Sequence, residues 1–400
     1  MLSACGLHEK FSQAERYEIM KKLLSVFLSL LMIFSLSSFS VCAEPAEMEL
    51  SAKSAILIEP ETGKILFEKA SHDRLPPASV TKIMTMLLVL EALDNGQFTL
   101  DDMVSTSSLA ASMGGSQVFL EENEQMSVND MLKAVAVASG NDAAVALAEF
   151  TAGSHEGFVS KMNERAKELG MNDTTFVNCN GLDDENHLTS AFDISQMSKE
   201  LIKHPKIFDY TTVWMDSLRN GEFGLVNTNK LIRFYDGATG LKTGSTSVAG
   251  FCISASAKRD NMNLIAVIMG APTSKERFAD ATKLLNYGFS NYAISNSLVS
   301  EEELPDISVK KGKENSAKIG LSDDFKMLLE KSKIGKIEKN ITLPEFINAP
   351  VNENQKLGEV EFFIDGESIG KSDIVSKATV KSLGFLGMLR RLSSHFFFGI

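Results

Sequence analysis

The stretch RLPPASVTKIMTMLLVLEAL, Arg74–Leu93, constrains the fold of this 400-residue chain more than any other part of it. Two prolines lead in, and a residue ahead of proline resists helical geometry, so a helix begins after Pro77. From Ile83 to Leu90 only Thr85 is polar. A helix that is apolar all round must be covered on nearly every side. This one therefore belongs at the centre of a layered structure. Yet it opens with Ser79 and Lys82, three residues apart and so neighbours on one helix face.

The flanking sequence supplies the layers. Ser54–Glu59 and Lys64–Lys69 surround Glu61-Thr62-Gly63, a hairpin signal. Helical patterns follow over Ser127–Ala138, Ala143–Phe150, Glu156–Leu169 and Ser190–Ile202, the first capped by Ser127 with Asp130. Gly250–Ala257 and Asn263–Met269 form a second hairpin about Lys258-Arg259-Asp260-Asn261, and an amphipathic helix, Ser274–Phe289, comes after Pro272. Strands thus begin and end this region, with helices between. The expected class is α+β: a mainly antiparallel sheet, a helical layer and a helical subdomain.

Composition divides the rest. Met20-Lys21-Lys22, an apolar run from Leu23 to Val41 and Val41-Cys42-Ala43 have the form of a secretory signal, with the cut expected after Ala43. Residues 1–19 read as an upstream extension, so 1–43 are extension and signal, with an uncleaved anchor helix as the alternative, and point to an exported protein at the outer face of the cytoplasmic membrane. Residues 44–303 form the main domain. Residues 304–375 alternate short β-rich runs with charged turns, a small β domain. In residues 376–400, Val380, Leu383, Leu386, Leu389 and Phe396–Phe398 alternate with Lys377, Lys381, Arg390 and Arg391. That tail is too polar to span a bilayer, but it could lie flat on an anionic membrane surface. A net charge of −12 at pH 7 argues against nucleic acid as a partner. No Cys or His pair has metal-ligand spacing, so no metal or other cofactor is expected. Cys179 and Cys252 remain after the signal, and whether they pair is open.

Three short stretches carry candidate chemistry. A serine hydroxyl attacks well only when a base takes its proton. Lys82 can be that base if desolvation and the helix N-terminus lower its pKa. Ser139-Gly140-Asn141 breaks an alanine- and valine-rich helical region, and adds a second hydroxyl and an amide. Lys242-Thr243-Gly244-Ser245 precedes a strand, where a lysine and a hydroxyl suit a carboxylate and a glycine admits a ligand close to the backbone. The order Lys-Thr-Gly is not that of a phosphate loop. A second Ser-x-x-Lys, Ser368–Lys371, lies beside a turn with no helix and reads as chance.

Ser-x-x-Lys, Ser-x-Asn and Lys-Thr-Gly in this order resemble the penicillin-recognising serine acyltransferases. Ser139-Gly140-Asn141 and PASVTK narrow the resemblance to the low-molecular-weight D-alanyl-D-alanine carboxypeptidases, peptidase family S11, over roughly residues 50–292. The resemblance implies that Ser79 is acylated, with Lys82 as base and Ser139 as proton relay towards the leaving amine. Asn141 would position substrate and Lys82. Lys242 and Thr243 would hold the terminal carboxylate of a peptidoglycan stem peptide ending in D-Ala-D-Ala, with Arg277 assisting. The N–H groups of Ser79 and Ser245, the latter just past Gly244, would form the oxyanion hole. β-Lactam antibiotics would be covalent inhibitors.

Two positions depart from the family pattern: Thr239-Gly240 stands where relatives often carry Asp-Gly, and Asn180 where they often have histidine. Two other functions compete. A class A β-lactamase would carry a further Glu-x-x-Leu-Asn, which is absent. A non-catalytic wall-binding module would keep the pocket without turnover.

Overall fold

The computed structural model describes residue 20 and residues 48–295, 298–299, 303–322 and 327–398. The expected signal over 21–43 and its cut lie outside the described residues. Residues 50–400 pack as one unit. In chain order it opens with β1 (Ser54–Glu59), β2 (Lys64–Lys69) and α1 (Lys82–Asp94). Helices α2 (Val128–Val137), α3 (Asn141–Ala152), α4 (His155–Glu168) and α5 (Ala191–Leu201) follow. The region closes with β3 (Ala238–Thr246), β4 (Gly250–Arg259), β5 (Met262–Ala271) and α6 (Ser274–Asn291). The five strands form one antiparallel sheet in the order β2-β1-β5-β4-β3. Consequently β3, the strand with Lys-Thr-Gly, is an edge.

Both hairpins and the helices fall within a few residues of expectation. Ser127, Ser190 and Thr273 cap their helices by accepting the N–H of Asp130, Asp193 and Glu276, each worth about 1 kcal/mol. Helix α1 is the central one. Ile83, Met84, Met86, Leu87, Val89 and Leu90 are fully buried, at roughly 1.5–3 kcal/mol each. Helix α5 packs between α1 and the sheet, and α6 packs on β4 and β5. Strand β1 is buried at every position, as befits a strand covered on both faces.

A second apolar core, including Val299, Val309, Phe362 and Val380, belongs to the β-rich part. One of its sheets runs Ile319–Leu321, Glu367–Ser376, Lys356–Ile364, Glu338–Thr342. Its limits differ from the expected 304 and 375. Tyr292–Ser295, directly after α6, pairs with Met327–Glu330, so the change in composition near Leu304 falls inside this part. At the other end Val380 bridges Val351 and is buried, so it lies in the β core and not on an amphipathic tail. The terminal helix is shorter, Phe385–Phe398.

Candidate active site

Ser79 does not sit in an α-helix. It belongs to a 310 turn, Ala78–Thr81, which leads into α1. In a 310 turn side chains three apart eclipse, which sets Lys82 Nζ 2.9 Å from Ser79 Oγ. Ala78 enters the turn at φ +49°, a left-handed geometry that costs a non-glycine residue about 1–2 kcal/mol. Ser79 is half-buried and Lys82 fully buried.

Lys82 Nζ has two further acceptors, Asn141 Oδ1 at 2.6 Å and the Asn180 carbonyl at 2.7 Å. A neutral amine has two N–H donors and one lone pair. Donors spent on Asn141 and Asn180 leave the lone pair facing the Ser79 hydroxyl. Burial favours that form: it draws Lys82 from 10.5 down to about 7, against weaker opposing contributions from Cys179 and Asp142.

Ser139 and Gly140 break the chain between α2 and α3, which starts at Asn141; Ser139 is buried at φ +65°. Asn141 Nδ2 donates to the Gly114 carbonyl at 2.6 Å, which leaves Oδ1 turned to Lys82. Beside it the buried Asp142 carboxylate accepts the N–H groups of Val118, Leu120 and Ala143. That contact, missed in the sequence, ties the loop before α2 to the start of α3.

Edge strand β3 passes the Ser79 turn. A Cβ at Gly244 would stand 2.8 Å from Ser79 N and 2.9 Å from the Pro77 carbonyl oxygen. Only glycine allows this approach. Lys242 and Thr243 are buried, whereas Ser245 is exposed at the mouth. Lys242 Nζ donates to its neighbour's carbonyl, Thr243 O, at 3.0 Å, and Thr243 Oγ1 donates to Thr228 Oγ1 at 2.7 Å. Arg277 arrives from α6, buried, with Nη1 on Gly244 O at 3.2 Å and Nε unpartnered. Burial lowers Lys242 well below its usual value, with Lys82 and Arg277 adding repulsion, and brings Arg277 to about 10. Lys82, Lys242 and Arg277 form no ion pair among the described residues. Lys242 and Arg277, two buried basic groups with no carboxylate partner there, make a receptor for an anion.

The loop ahead of α5 completes the site. Asn180 supplies its backbone carbonyl to Lys82, while its side chain accepts Leu182 N–H and donates to Met113 Sδ. Gly181, at φ +86°, lies so close to the Ala78 carbonyl that a Cβ there would overlap it. Thr246 Oγ1 donates to Asp183 at 2.7 Å, which fastens this loop to β3. Cys179 and Cys252 are separate buried thiols, pushed up by burial to about 12 and about 11. The second Ser-x-x-Lys lies on a strand, where Ser368 and Lys371 both engage Glu361.

Residues 40–273 match the sequence profile of the D-alanyl-D-alanine carboxypeptidases, peptidase S11. The chain belongs to the D-alanyl-D-alanine carboxypeptidase family. Residues 295–382 match the C-terminal domain of penicillin-binding protein 5. The chain is similar to D-alanyl-D-alanine carboxypeptidase DacF of Bacillus subtilis, 46% identical over 93% of this chain and 98% of that one. Among solved structures it is similar to penicillin-binding protein 5 from Haemophilus influenzae, with TM-score 0.68 and 32% identity over 84% of this chain and 98% of the other. It is also similar to penicillin-binding protein D2 from Listeria monocytogenes in its ampicillin-bound form, with TM-score 0.56 and 33% identity over 60% of this chain and 99% of that one. In this family member all three motifs meet at one site: Ser79, Lys82 and Asn141 by direct hydrogen bonds, and β3 by its closeness to the Ser79 backbone.

Proposed function

We propose that this carboxypeptidase is of the serine type and removes the terminal D-alanine from peptidoglycan stem peptides through an acyl-enzyme on Ser79. The observation that carries the reading is the Lys82 amine, buried, drawn to about 7 and 2.9 Å from the Ser79 hydroxyl. Lys82 takes the proton as Ser79 Oγ attacks the penultimate carbonyl. The Ser79 and Ser245 N–H groups receive the oxyanion. Lys242, Thr243 and Arg277 hold the terminal carboxylate, and Ser139 passes a proton to the leaving amine. Water then hydrolyses the ester. A β-lactam offers a carboxylate and a reactive carbonyl in the same relation, so it acylates Ser79 and leaves slowly.

The test is D-alanine release from a pentapeptide ending in D-Ala-D-Ala, by the parent and by Ser79→Ala. Release by the parent alone supports the reading. Penicillin labelling without release would favour a wall-binding module, and rapid benzylpenicillin turnover a β-lactamase.

The pH dependence has a definite sign. Below about 7 Lys82 carries a proton and cannot accept another, so acylation rises with pH through about 7 and then levels off. The unfolded chain keeps that proton up to 10.5. Lys82's contribution to stability is therefore complete above that value, and is lost as pH falls towards about 7. Acylation that falls with rising pH across neutrality would remove Lys82 as the base.

We further propose that the enzyme works outside the cytoplasmic membrane and that its terminal helix lies on the lipid surface. Among the described residues no helix is long and apolar enough to cross a membrane. Phe385, Leu386, Leu389 and Phe396 are nevertheless exposed. The segment leading into the helix is fastened to the β-rich part through Leu383 N–H on Lys311 O, and the helix itself through Arg391 on Lys313 O. Truncation after residue 383, which spares Val380, is expected to reduce binding to anionic phosphatidylglycerol vesicles at least about tenfold. Equal sedimentation of both proteins with vesicles would remove the membrane role.

A further inference from the structure

His187 is a buried titratable group that the reaction above leaves unused, and its surroundings fix its state. Its Nδ1 accepts the Val177 N–H at 3.0 Å. The ring proton must therefore be on Nε2, which stands 2.8 Å from Thr81 Oγ1. Burial holds the ring neutral, down to about 4, despite Asp183 and Asp184 nearby. Thr81 occupies the N-cap position of α1 but does not cap it. Its hydroxyl turns back and donates to the Ala78 carbonyl at 2.8 Å. The donors thus run one way: His187 to Thr81 to Ala78 O.

Ala78 O and the Ser79 N–H belong to one planar peptide unit and point in opposite directions across it. Whatever fixes the carbonyl aims the N–H. Gly181 confines the same carbonyl from another side, and Ala78 is held at φ +49° throughout. A hydrogen bond accepted by the carbonyl also polarises the peptide and strengthens its N–H as a donor.

We propose that His187, acting through Thr81, is a positioning residue that aims the Ser79 N–H at the substrate carbonyl. The proposal rests on the reading of Ser79 as nucleophile and oxyanion donor. It requires that the relay govern stabilisation of the transition state and leave ground-state binding alone.

The test uses the full chain, Thr81→Val and Thr81→Ser, with benzylpenicillin carrying a 13C label at the β-lactam carbonyl. Stopped-flow kinetics separate the non-covalent dissociation constant from the acylation rate constant. Infrared difference spectra then report the ester carbonyl of the acyl-enzyme. Loss of an oxyanion donor costs about 10²–10³ in rate, so a mis-aimed donor in Thr81→Val should lose about tenfold or more. Its dissociation constant should stay within about twofold of the parent's, by the same separation of transition-state from uniform binding. Its carbonyl band should move to higher wavenumber, and Thr81→Ser should restore both rate and band. A parental rate and band in Thr81→Val would overturn the proposal.

If Thr81→Val does not fold, the decision passes to His187→Gln and His187→Asn. The glutamine amide reaches the Nε2 position and keeps the bond to Thr81. The asparagine amide reaches only the Nδ1 position. Faster acylation in the glutamine variant supports the relay, and equal or reversed rates overturn it. A folded parent that is never acylated would overturn the Ser79 reading and this proposal together. That result is distinct from an acylated parent whose variants do not differ.

Discussion

Lys82→Ala should slow acylation of Ser79 by about a thousandfold, a typical loss for a positioned general base, while the chain still folds. The variant leaves Asn141 Oδ1 and Asn180 O without their donor, at about 1–3 kcal/mol for each buried group left unsatisfied. It also relieves the burial of an amine, which works in the opposite direction. Far-ultraviolet circular dichroism and thermal melting should therefore show a native fold with a modest loss of stability. Labelling with a fluorescent penicillin should be all but absent over minutes. Lys82→Arg is the matching control: it keeps a cation but cannot release the proton, so it should be as slow as alanine. Full labelling of either variant at neutral pH would show that another group takes the proton.

Gly181→Ala should damage both stability and acylation. The added Cβ would overlap the Ala78 carbonyl, and the residue holds φ +86°. A left-handed conformation costs an alanine about 1–2 kcal/mol and overpacking about 1–3 more. Denaturation should show a loss of about 2–5 kcal/mol. The surviving folded fraction should acylate slowly, because the carbonyl that must move shares its peptide with Ser79 N. Gly221→Ala separates the two effects. Gly221 has φ +97° with open space around it, so the variant pays for backbone strain alone and should acylate normally. A Gly181→Ala chain as stable and as reactive as Gly221→Ala would refute the close approach.

Much of this was legible in the sequence because it rests on pattern and side-chain type. The apolar run from Ile83 to Leu90 announces a buried helix, and the two hairpins announce a sheet around it. The roles proposed for Ser79, Lys82, Ser139, Asn141 and Lys242 belong to their own side chains. What stayed hidden acts through the backbone or across long separations. Asn180 contributes a carbonyl, which has no sequence signature, and its departure from the family's histidine leaves that contribution in place. His187 lies far along the chain from Thr81, and only the folded loop brings them to 2.8 Å. Arg277, which could equally have read as a surface residue at a helix start, proves buried because α6 packs on β4 beside the edge strand. Val380 misled for the opposite reason. Its alternation with lysines fits an amphipathic helix and a strand-like segment equally, and only the pairing with Val351 distinguishes them.

The crowding of Lys242 by Lys82 and Arg277 has a thermodynamic consequence for the empty enzyme. Without an anion, burial first and the repulsion of Lys82 and Arg277 second hold Lys242 well below its usual value, and both are eased when it sheds a proton. A carboxylate entering the pocket reverses the balance and restores the ammonium. At any pH above the empty-site value, filling the pocket therefore draws a proton from solution. The measured heat of association then includes the ionisation heat of whatever buffer supplies that proton, and the apparent affinity falls as the medium becomes more alkaline. On the proposed mechanism, acylation needs Lys82 bare, whereas carboxylate capture needs Lys242 charged. In their proposed roles the two lysines therefore pull the pH dependence in opposite directions, Lys82 favouring reaction as pH rises through about 7 and Lys242 favouring capture as it falls.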